Sequence, residues 1–396
     1  MMRISGVICE YDPFHNGHEY LLRRAREESD AVVCVMSGNT TQRGGFAIVD
    51  KYARAEMALR GGADLVLELP YPFSSASAEY FATAGVAILD SVGASRICFG
   101  SECGNVEKLM GAAGVSWTRE FRRSRGDVGT AEGYFEALEQ AYAKVYGESL
   151  SLKPNDILGV EYCKAIMWGK YAIQPMAFER LGDGFLSSSV GASPFASATA
   201  LRSHIREKGC GGLETYMPEA AMEILSRAIV EGTAPTDMGR IESAVLSFFR
   251  LADPETMMNI AELGNGLEHR LCEAAGQARS LDEFFSLAAT KKYTDARIRR
   301  SVLFAMTGVT REDLAALPRY TTLLAANGKG REILSGMRKR ETAIPVVTKP
   351  ADGKQVDARQ YALSLAVDSL FTLTMPCPRE AGAFMKRNAI IGDSAR

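Results

Sequence analysis

Two histidines three residues apart, His15 and His18, lie in the run EYDPFHNGH at residues 10–18. The run follows an apolar segment at residues 4–9 and precedes a helix-like segment at residues 19–28. A helix that starts directly after a strand offers free backbone N–H groups and a positive dipole end to a phosphate. Imidazoles at such a junction can donate hydrogen bonds to phosphoryl oxygens. The chain has only four histidines, so two at this junction favour a phosphate site over an incidental pair of surface histidines.

A second group of polar residues occurs in the run ASATALR at residues 196–202. Ser197, Thr199 and Arg202 begin a helix-like segment behind a loop rich in Ser, Gly and Ala at residues 187–197. Such a segment can close over a triphosphate, with the hydroxyls as donors and the arginine as a charged clamp. The alternative is a capped helix with a solvated arginine. Together with the histidine junction, the nucleotide interpretation is favoured.

These two groups suit nucleotidyl transfer at the α-phosphate of ATP, where catalysis is largely positioning and electrostatic stabilisation. The sequence contains no Walker A, G-x-S-x-G or H-E-x-x-H motif, so P-loop, serine-hydrolase and zincin mechanisms are not indicated. A zinc site on His15 and His18 lacks an evident third ligand, and no metal site is predicted. Any Mg²⁺ is expected to accompany ATP.

The elements that must position these residues alternate between strand and helix. Apolar runs at residues 4–9, 31–36, 64–69 and 96–99 predict strands, and residues 19–28, 50–60 and 78–91 predict helices, the second capped by Asp50. Such alternation predicts a parallel, doubly covered sheet that binds its ligand at the carboxyl ends of the strands. We therefore predict an α/β class: a Rossmann-like nucleotidyltransferase domain at residues 1–214, then a mainly helical C-terminal region at residues 215–396.

The sequence also predicts helices and strands in the rest of the chain. A helix capped by Asn155 or Asp156 and a strand at residues 171–178 are predicted. The pattern is mostly helical from about residue 215 to 315. The last part is expected to contain a helical run, a short strand at residues 343–348 and a helix at residues 357–369.

Composition limits the class of protein. With 46% apolar and 24% charged residues the chain resembles an ordinary globular protein, and it has no apolar run long enough for a transmembrane helix. The eight scattered cysteines are expected to be reduced, and the protein to be cytoplasmic. The net charge of −2 argues against a generally basic nucleic-acid binder, so RNA contact would need a local basic patch.

The two motifs resemble the nucleotidylyltransferase superfamily, and a wider set of segments resembles the bacterial tRNA(Met) cytidine acetate ligases. The similarity runs through the chain in order and is most specific in the first hundred residues. The segments that carry it are EYDPFHNGH (10–18), VMSGN (35–39), QRG (42–44), DK (50–51), RAEMA (54–58), DLVLELP (64–70), FGSE (99–102), PN (154–155), ILG (157–159) and ASAT (196–199).

The resemblance implies a ligase that converts ATP and acetate to acetyl-adenylate. The acetyl group would then pass to the wobble cytidine of elongator tRNA(Met), giving N4-acetylcytidine. It also implies an ATP site in the segment 7–20, together with three single residues. The implied ATP-site residues are Val7, Glu10, Tyr11, Asp12, Phe14, His15, Asn16, Gly17, His18, Gly100, Asn155 and Arg180, with His15 and His18 catalytic, and Ser197, Thr199 and Arg202 join them through the second motif.

The resemblance also extends to a further motif, and the chain departs from the family at some positions. Gln42, Arg43, Asp50 and Lys51 lie in a further family motif and are expected near the nucleotide or acetate. The chain departs from the family at Asp12, where Asn is usual, and on either side of residues 42–44.

The densest basic run, at residues 291–300, is the predicted RNA contact. Shorter basic stretches occur at residues 119–125 and 331–340, and a solvated helix face is the alternative for each. The residues expected to bind RNA are Lys291, Lys292, Tyr293, Arg297, Arg299 and Arg300.

Two other functions share some of these features. A small-molecule adenylyltransferase would have the same histidine junction, but it would not need a long basic C-terminal half. A non-catalytic nucleotide-sensing or RNA-binding protein would not need His15, Gly17 and His18 intact.

Overall fold

The computed structural model describes residues 2–125, 131–180, 193–338, 340 and 343–392. These residues form eight strands and sixteen α-helices. The strands are β1 (Ile4–Cys9), β2 (Ala31–Ser37), β3 (Leu65–Leu69), β4 (Arg96–Ser101), β5 (Gln174–Glu179), β6 (Thr321–Ala326), β7 (Val346–Val347) and β8 (Ile390–Ile391). The first eight helices are α1 (Asn16–Glu27), α2 (Lys51–Arg60), α3 (Ala78–Val92), α4 (Val106–Val115), α5 (Arg119–Arg125), α6 (Ala131–Tyr146), α7 (Pro154–Gly169) and α8 (Ala198–Lys208). The others are α9 (Glu219–Val230), α10 (Glu242–Leu251), α11 (Leu267–Gln277), α12 (Leu281–Ala288), α13 (Asp295–Thr307), α14 (Arg311–Ala315), α15 (Gly328–Met337) and α16 (Ala358–Leu373).

The strands form one mixed sheet with the order β5-β4-β1-β2-β3-β6-β7, and β8 also pairs with β6. Strands β1 to β5 are mutually parallel, whereas β6 runs antiparallel to β3. The central strands β1, β2 and β3 are buried along their whole length, as expected for strands covered on both faces. Helices α1, α2 and α3 pack on these strands, and α7 packs outside α3 and on β4. The carboxyl ends of β1, β4 and β5 therefore lie side by side.

The predicted α/β class is confirmed, and so are the four predicted strands of the first hundred residues. Asp50 caps α2 by accepting hydrogen bonds from the backbone N–H groups of Tyr52 and Ala53, at 2.8 and 3.0 Å. The strand predicted at residues 171–178 is β5, which begins three residues later. The mostly helical stretch after residue 215 is confirmed as α9 to α14.

Two sequence predictions need correction. Helix α7 is not capped by Asn155 or Asp156: it begins at Pro154, and its cap residue is Lys153, whose backbone N–H donates to the Asp156 carboxylate at 3.1 Å. Strand β6 was not predicted, although it extends the sheet beyond β3. Because β6 and β8 come from the C-terminal region, that region contributes directly to the sheet. The division of the chain into two domains at residue 214 stays a prediction.

A buried ion-pair cluster joins the C-terminal region to the first hundred residues of the chain. The ammonium group of Lys51, at the start of α2, lies 2.8 Å from carboxylate oxygens of both Glu68 on β3 and Asp368 on α16. All three side chains are less than a tenth exposed. Asn39 completes the cluster, since its side-chain amide donates to Asp368 and its oxygen accepts from the backbone N–H of Lys51, both at 2.8 Å.

Replacing Lys51 by Met should destabilise the fold strongly, because two buried carboxylates would lose their shared counter-ion. The expected decrease in the free energy of unfolding is about 3–5 kcal/mol, measured by urea denaturation. Lys354 is exposed, with no ion pair among the described residues, so Lys354→Met is the matched control and should change stability by less than about 0.5 kcal/mol. Equal stability of the two variants would show that the cluster does not join the two regions.

Candidate active site

A cavity of about 460 Å³ opens at the carboxyl ends of β1, β4 and β5. The residues that line it come from the loop after β1, the amino end of α7, the end of β5 and the start of α8. Most of the residues implied by the family resemblance share this cavity. Those that line it are Val7, Glu10, Tyr11, Asp12, His15, Gly17, His18, Gly100, Asn155, Arg180 and Arg202.

The two histidines form a stacked pair at the start of α1. Their ring centroids are 3.7 Å apart and their planes differ by 25°. His15 is the cap residue of α1, and its Nδ1 accepts a hydrogen bond from the backbone N–H of Gly17 at 3.1 Å. The Nδ1 atom of His18 in turn accepts from the backbone N–H of His15 at 3.3 Å. Because both Nδ1 atoms act as acceptors, the proton of each neutral ring lies on Nε2.

Burial keeps both rings neutral. It lowers the pKa of His15 to about 3, and the charges of Arg180 and Arg202 act in the same direction. The pKa of His18 is also lowered well below its usual value, first by burial and then by His15 and Arg180. Neutral imidazoles with Nε2–H groups are hydrogen-bond donors that need no proton transfer to stabilise a phosphoryl oxygen.

The backbone N–H groups at the start of α1 are not free, in contrast to the sequence prediction. The N–H of Asn16 donates to the carbonyl oxygen of Tyr216 at 3.0 Å, and that of Gly17 donates to His15. The side-chain amide of Asn16 donates to the carbonyl oxygens of Pro194 and Thr215 at 3.0 and 2.8 Å. Asn16 therefore ties the helix start to the segments around α8, and at this helix start the Nε2–H groups of the histidine rings can donate to a ligand.

The second motif reaches the cavity through its arginine. Arg202 donates to the carbonyl oxygen of Asp12 at 2.7 Å and lies 3.5 Å from the Asp12 carboxylate. The same carboxylate accepts from the backbone N–H of Ile48 at 2.6 Å. Ser197 caps α8, accepting from the backbone N–H of Ala200 at 3.1 Å, and exposed Thr199 accepts from Arg202 at 3.2 Å. Neither hydroxyl lines the cavity, and residues 187–192 of the preceding predicted loop lie outside the described residues.

A chain of polar side chains reaches the cavity through Arg180 and Asn155. Arg180 donates to the side-chain oxygen of Asn155 at 3.4 Å, and the amide of Asn155 donates to the Glu102 carboxylate at 2.6 Å. A Cβ atom on Gly100 would lie 3.2 Å from Cγ of Arg180, so glycine leaves the room that this arginine occupies. Burial lowers the pKa of Arg180, and Glu102 opposes that shift.

Two kinds of residue at this site were not predicted from the sequence. Arg54 is completely buried and binds the loops after β1 and β2, where Nη1 donates to the carbonyl oxygens of Glu10 and Ser37 at 2.6 and 3.2 Å. The other kind is a set of aromatic side chains that the sequence pattern assigns to the core. These cavity-lining residues are Phe81, Phe99, Tyr162 and Phe178.

Other expected residues lie elsewhere. Phe14 is fully buried and does not line the cavity. Gln42 and Arg43 do line it, and the backbone N–H of Gln42 donates to the Glu10 carboxylate at 2.6 Å. Asp50 and Lys51 are not among the residues that line this cavity: Asp50 caps α2, and Lys51 belongs to the buried ion-pair cluster.

The basic run at residues 291–300 is also largely engaged within the protein. Tyr293 is buried, and its hydroxyl donates to the carbonyl oxygen of Asn265, so its ring is not a free platform for a base. Glu262 accepts from Arg300 through its carboxylate at 3.1 and 3.2 Å, and from Arg297 through its carbonyl oxygen at 3.1 and 2.9 Å.

The rest of that run is more accessible. Arg299 pairs with Asp295 at 2.8 Å, whereas Lys291 and Lys292 are exposed. Only part of the predicted RNA-binding run is therefore available to a partner.

The described residues contain no group of three or more His, Cys, Asp or Glu residues that could hold a metal ion. None of their helices is long and apolar enough to cross a membrane.

The neutral state of His15 predicts a pH-dependent stability. The pKa of His15 is lower in the folded state, so the unfolded chain binds the proton more readily. The contribution of neutral His15 to the free energy of unfolding is therefore complete above about pH 6.5 and decreases as the pH falls towards 3. The slope is at most about 1.4 kcal/mol per pH unit for one group. His15→Asn retains a capping side chain but does not titrate.

Urea denaturation of both proteins at pH 4, 5, 6 and 7 tests this. The wild-type protein should lose stability relative to His15→Asn as the pH decreases from 6 to 4. A difference between the two proteins that is constant over this range would contradict a buried neutral His15.

Comparisons with known proteins agree with this geometry. The model of the family described as HIGH Nucleotidyl Transferase matches residues 2–383. A tRNA(Met) cytidine acetate ligase of Acetivibrio thermocellus is 35% identical over 98% of this chain and all of its own length. One of Caldanaerobacter subterraneus is 35% identical over 94% of this chain and 95% of its own length.

A solved structure extends the comparison. The crystal structure of Thermotoga maritima TmcAL bound with alpha-thio ATP matches with a TM-score of 0.89 and 33% identity, over 99% of this chain and all of that one. By its cavity, its histidine pair and these full-length similarities, the chain belongs to the HIGH nucleotidyl transferase family and, within it, to the group of the tRNA(Met) cytidine acetate ligases.

Proposed function

We propose that this protein activates acetate with ATP and acetylates the wobble cytidine of elongator tRNA(Met), yielding N4-acetylcytidine, AMP and diphosphate. The observation that carries the proposal is the stacked, neutral histidine pair at the head of a cavity flanked by two arginines. The names of the full-length relatives and the ATP analogue bound by the structural neighbour support it. A cytoplasmic location belongs to the proposal because its substrates are ATP and tRNA.

In the first step an acetate oxygen attacks the α-phosphorus of ATP, and the bond to diphosphate breaks. Negative charge grows on the α-phosphoryl oxygens, and the Nε2–H groups of His15 and His18, whose Nδ1 atoms are occupied as acceptors, donate to them. Arg180 and Arg202 add positive charge at the cavity wall. Mg²⁺ would accompany the triphosphate of ATP.

In the second step the exocyclic amine of cytidine attacks the acetyl carbonyl carbon of acetyl-adenylate. The bond to the phosphate oxygen breaks, AMP leaves, and the attacking nitrogen must lose a proton. We assign that proton to Glu10, a cavity-lining carboxylate held by the backbone N–H of Gln42. Burial raises the pKa of Glu10 above its usual value, which makes it a stronger base.

The central test is incubation with ATP, acetate and unmodified tRNA(Met), followed by mass analysis of nucleosides. N4-acetylcytidine is the expected product, and His15→Ala and His18→Ala should each reduce its formation by about 100-fold or more. Diphosphate release with another acceptor, but no modified tRNA, would indicate a small-molecule adenylyltransferase instead. Full activity of both variants would refute the histidine mechanism.

Glu10→Gln should slow acetyl transfer more than adenylation, because only the second step needs a base. Acetyl transfer should fall by about 100-fold, while acetate-dependent exchange of diphosphate into ATP falls much less. Glu19→Gln is the matched control: Glu19 is exposed in the first turn of α1, and its replacement should affect neither step. Equal loss of both steps in Glu10→Gln would make Glu10 a binding residue rather than the base.

A further inference from the structure

Both tryptophans of this chain are exposed, although an indole ring is usually mostly buried. Trp117, between α4 and α5, is 49% exposed, and Trp168, at the end of α7, is 70% exposed. They lie at neighbouring helix ends, because α4 packs on α7 and a Cβ atom on Gly114 would lie 3.9 Å from Met167. The two rings therefore belong to one surface of the molecule.

Helix α5 adds positive charge to this surface. It has the sequence REFRRSR, and its four arginines are exposed while Phe121 is buried. None of the four forms an ion pair with a carboxylate among the described residues, in contrast to the arginines of α13. The arginine–tryptophan face is defined here as Trp117, Arg119, Arg122, Arg123, Arg125 and Trp168.

The arginine–tryptophan face is linked to the cavity by packed side chains and by α7. The guanidinium of Arg125 lies 5.7 Å from the ring centre of Tyr134, whose hydroxyl accepts from Lys164 of α7 at 3.1 Å. The amino half of α7 lines the cavity with Asn155, Leu158 and Tyr162. From Leu158 to Trp168 the helix rises by about 15 Å.

We propose that the arginine–tryptophan face binds RNA, and specifically the arm of the tRNA whose base enters the cavity; this rests on the proposed function. Phosphates match the unpaired arginines, and exposed indoles are suited to stacking on unpaired bases. Self-association through this face would instead bring like charges together across a two-fold axis. RNA is therefore the occupant that its charge and its aromatic rings both favour.

The test compares binding of unmodified tRNA(Met) transcript to the full chain at several salt concentrations. The variant Arg119→Glu/Arg122→Glu/Arg123→Glu should bind at least 10-fold more weakly, with a salt dependence smaller by about 2 to 3 in the log–log slope. Trp117→Ala/Trp168→Ala should also weaken binding without any change of charge. Acetate-dependent exchange of diphosphate into ATP should stay at the wild-type rate in both, which shows that they are folded.

The matched control is Arg279→Glu/Lys349→Glu/Lys354→Glu, which changes the charge equally at exposed positions of the C-terminal region. An equal loss of affinity in this control would show a general effect of net charge and overturn the proposal. Unchanged tRNA affinity in the arginine variant would also overturn the proposal. So would the finding that the wild-type protein is a dimer through this face, if the tryptophan variant is monomeric and still binds RNA normally. If the wild-type protein shows neither exchange nor tRNA binding, the proposed function itself fails.

Discussion

The guanidinium of Arg54 is the interaction on which the cavity depends. The cavity is built from loops at the ends of adjacent strands, and loops of this kind have no ladder of hydrogen bonds to hold them together. Arg54 supplies that connection from the first turn of α2, because it donates to the carbonyl oxygens of Glu10 after β1, Ser37 at the end of β2, Gly38 after it, and Val49 before the helix. Burial lowers its pKa, and nearby Asp12, Asp50 and Glu10 oppose that shift. The position of Glu10 is thus coupled to a side chain that does not line the cavity.

The sequence predicted the parts of the fold that depend on local pattern. Runs of β-branched residues bounded by Gly and Asp specify the parallel strands, and Asp50 specifies the start of α2 by capping chemistry. Strand β6 was missed because TTLLAA is a short apolar run, which periodicity cannot distinguish from a buried helix segment. The start of α7 carried a readable signal in Pro154, since proline is favoured at the first helical position. Arg54 could not have been identified, because nothing in a sequence shows that an arginine will be buried among carbonyl oxygens.

The basic stretches show why counting charges along a chain is a poor guide to an RNA surface. The run at residues 291–300 has more cations than α5, yet Glu262 engages Arg297 and Arg300 from some 35 residues away. A buried bidentate ion pair is structural, and removing those arginines would damage the fold rather than report on RNA. Helix α5 has fewer charges, but within the described residues its arginines form no ion pair with a carboxylate. What distinguishes the two stretches is the partners that the tertiary structure provides.

The proposed reaction requires the cytidine to be delivered to a reactive intermediate, and helix α7 is suited to this task. Acetyl-adenylate is a mixed anhydride that water destroys, so the cytidine must reach it quickly and in the correct orientation. Helix α7 lines the cavity at one end and carries Trp168 at the other, and it packs on β4, α3 and α4 along its length. RNA held at the far end of a helix fixed in this way would present its base at a defined distance from the anhydride. The rise of about 15 Å along the helix then fixes the distance between the site that holds the RNA and the site that modifies it.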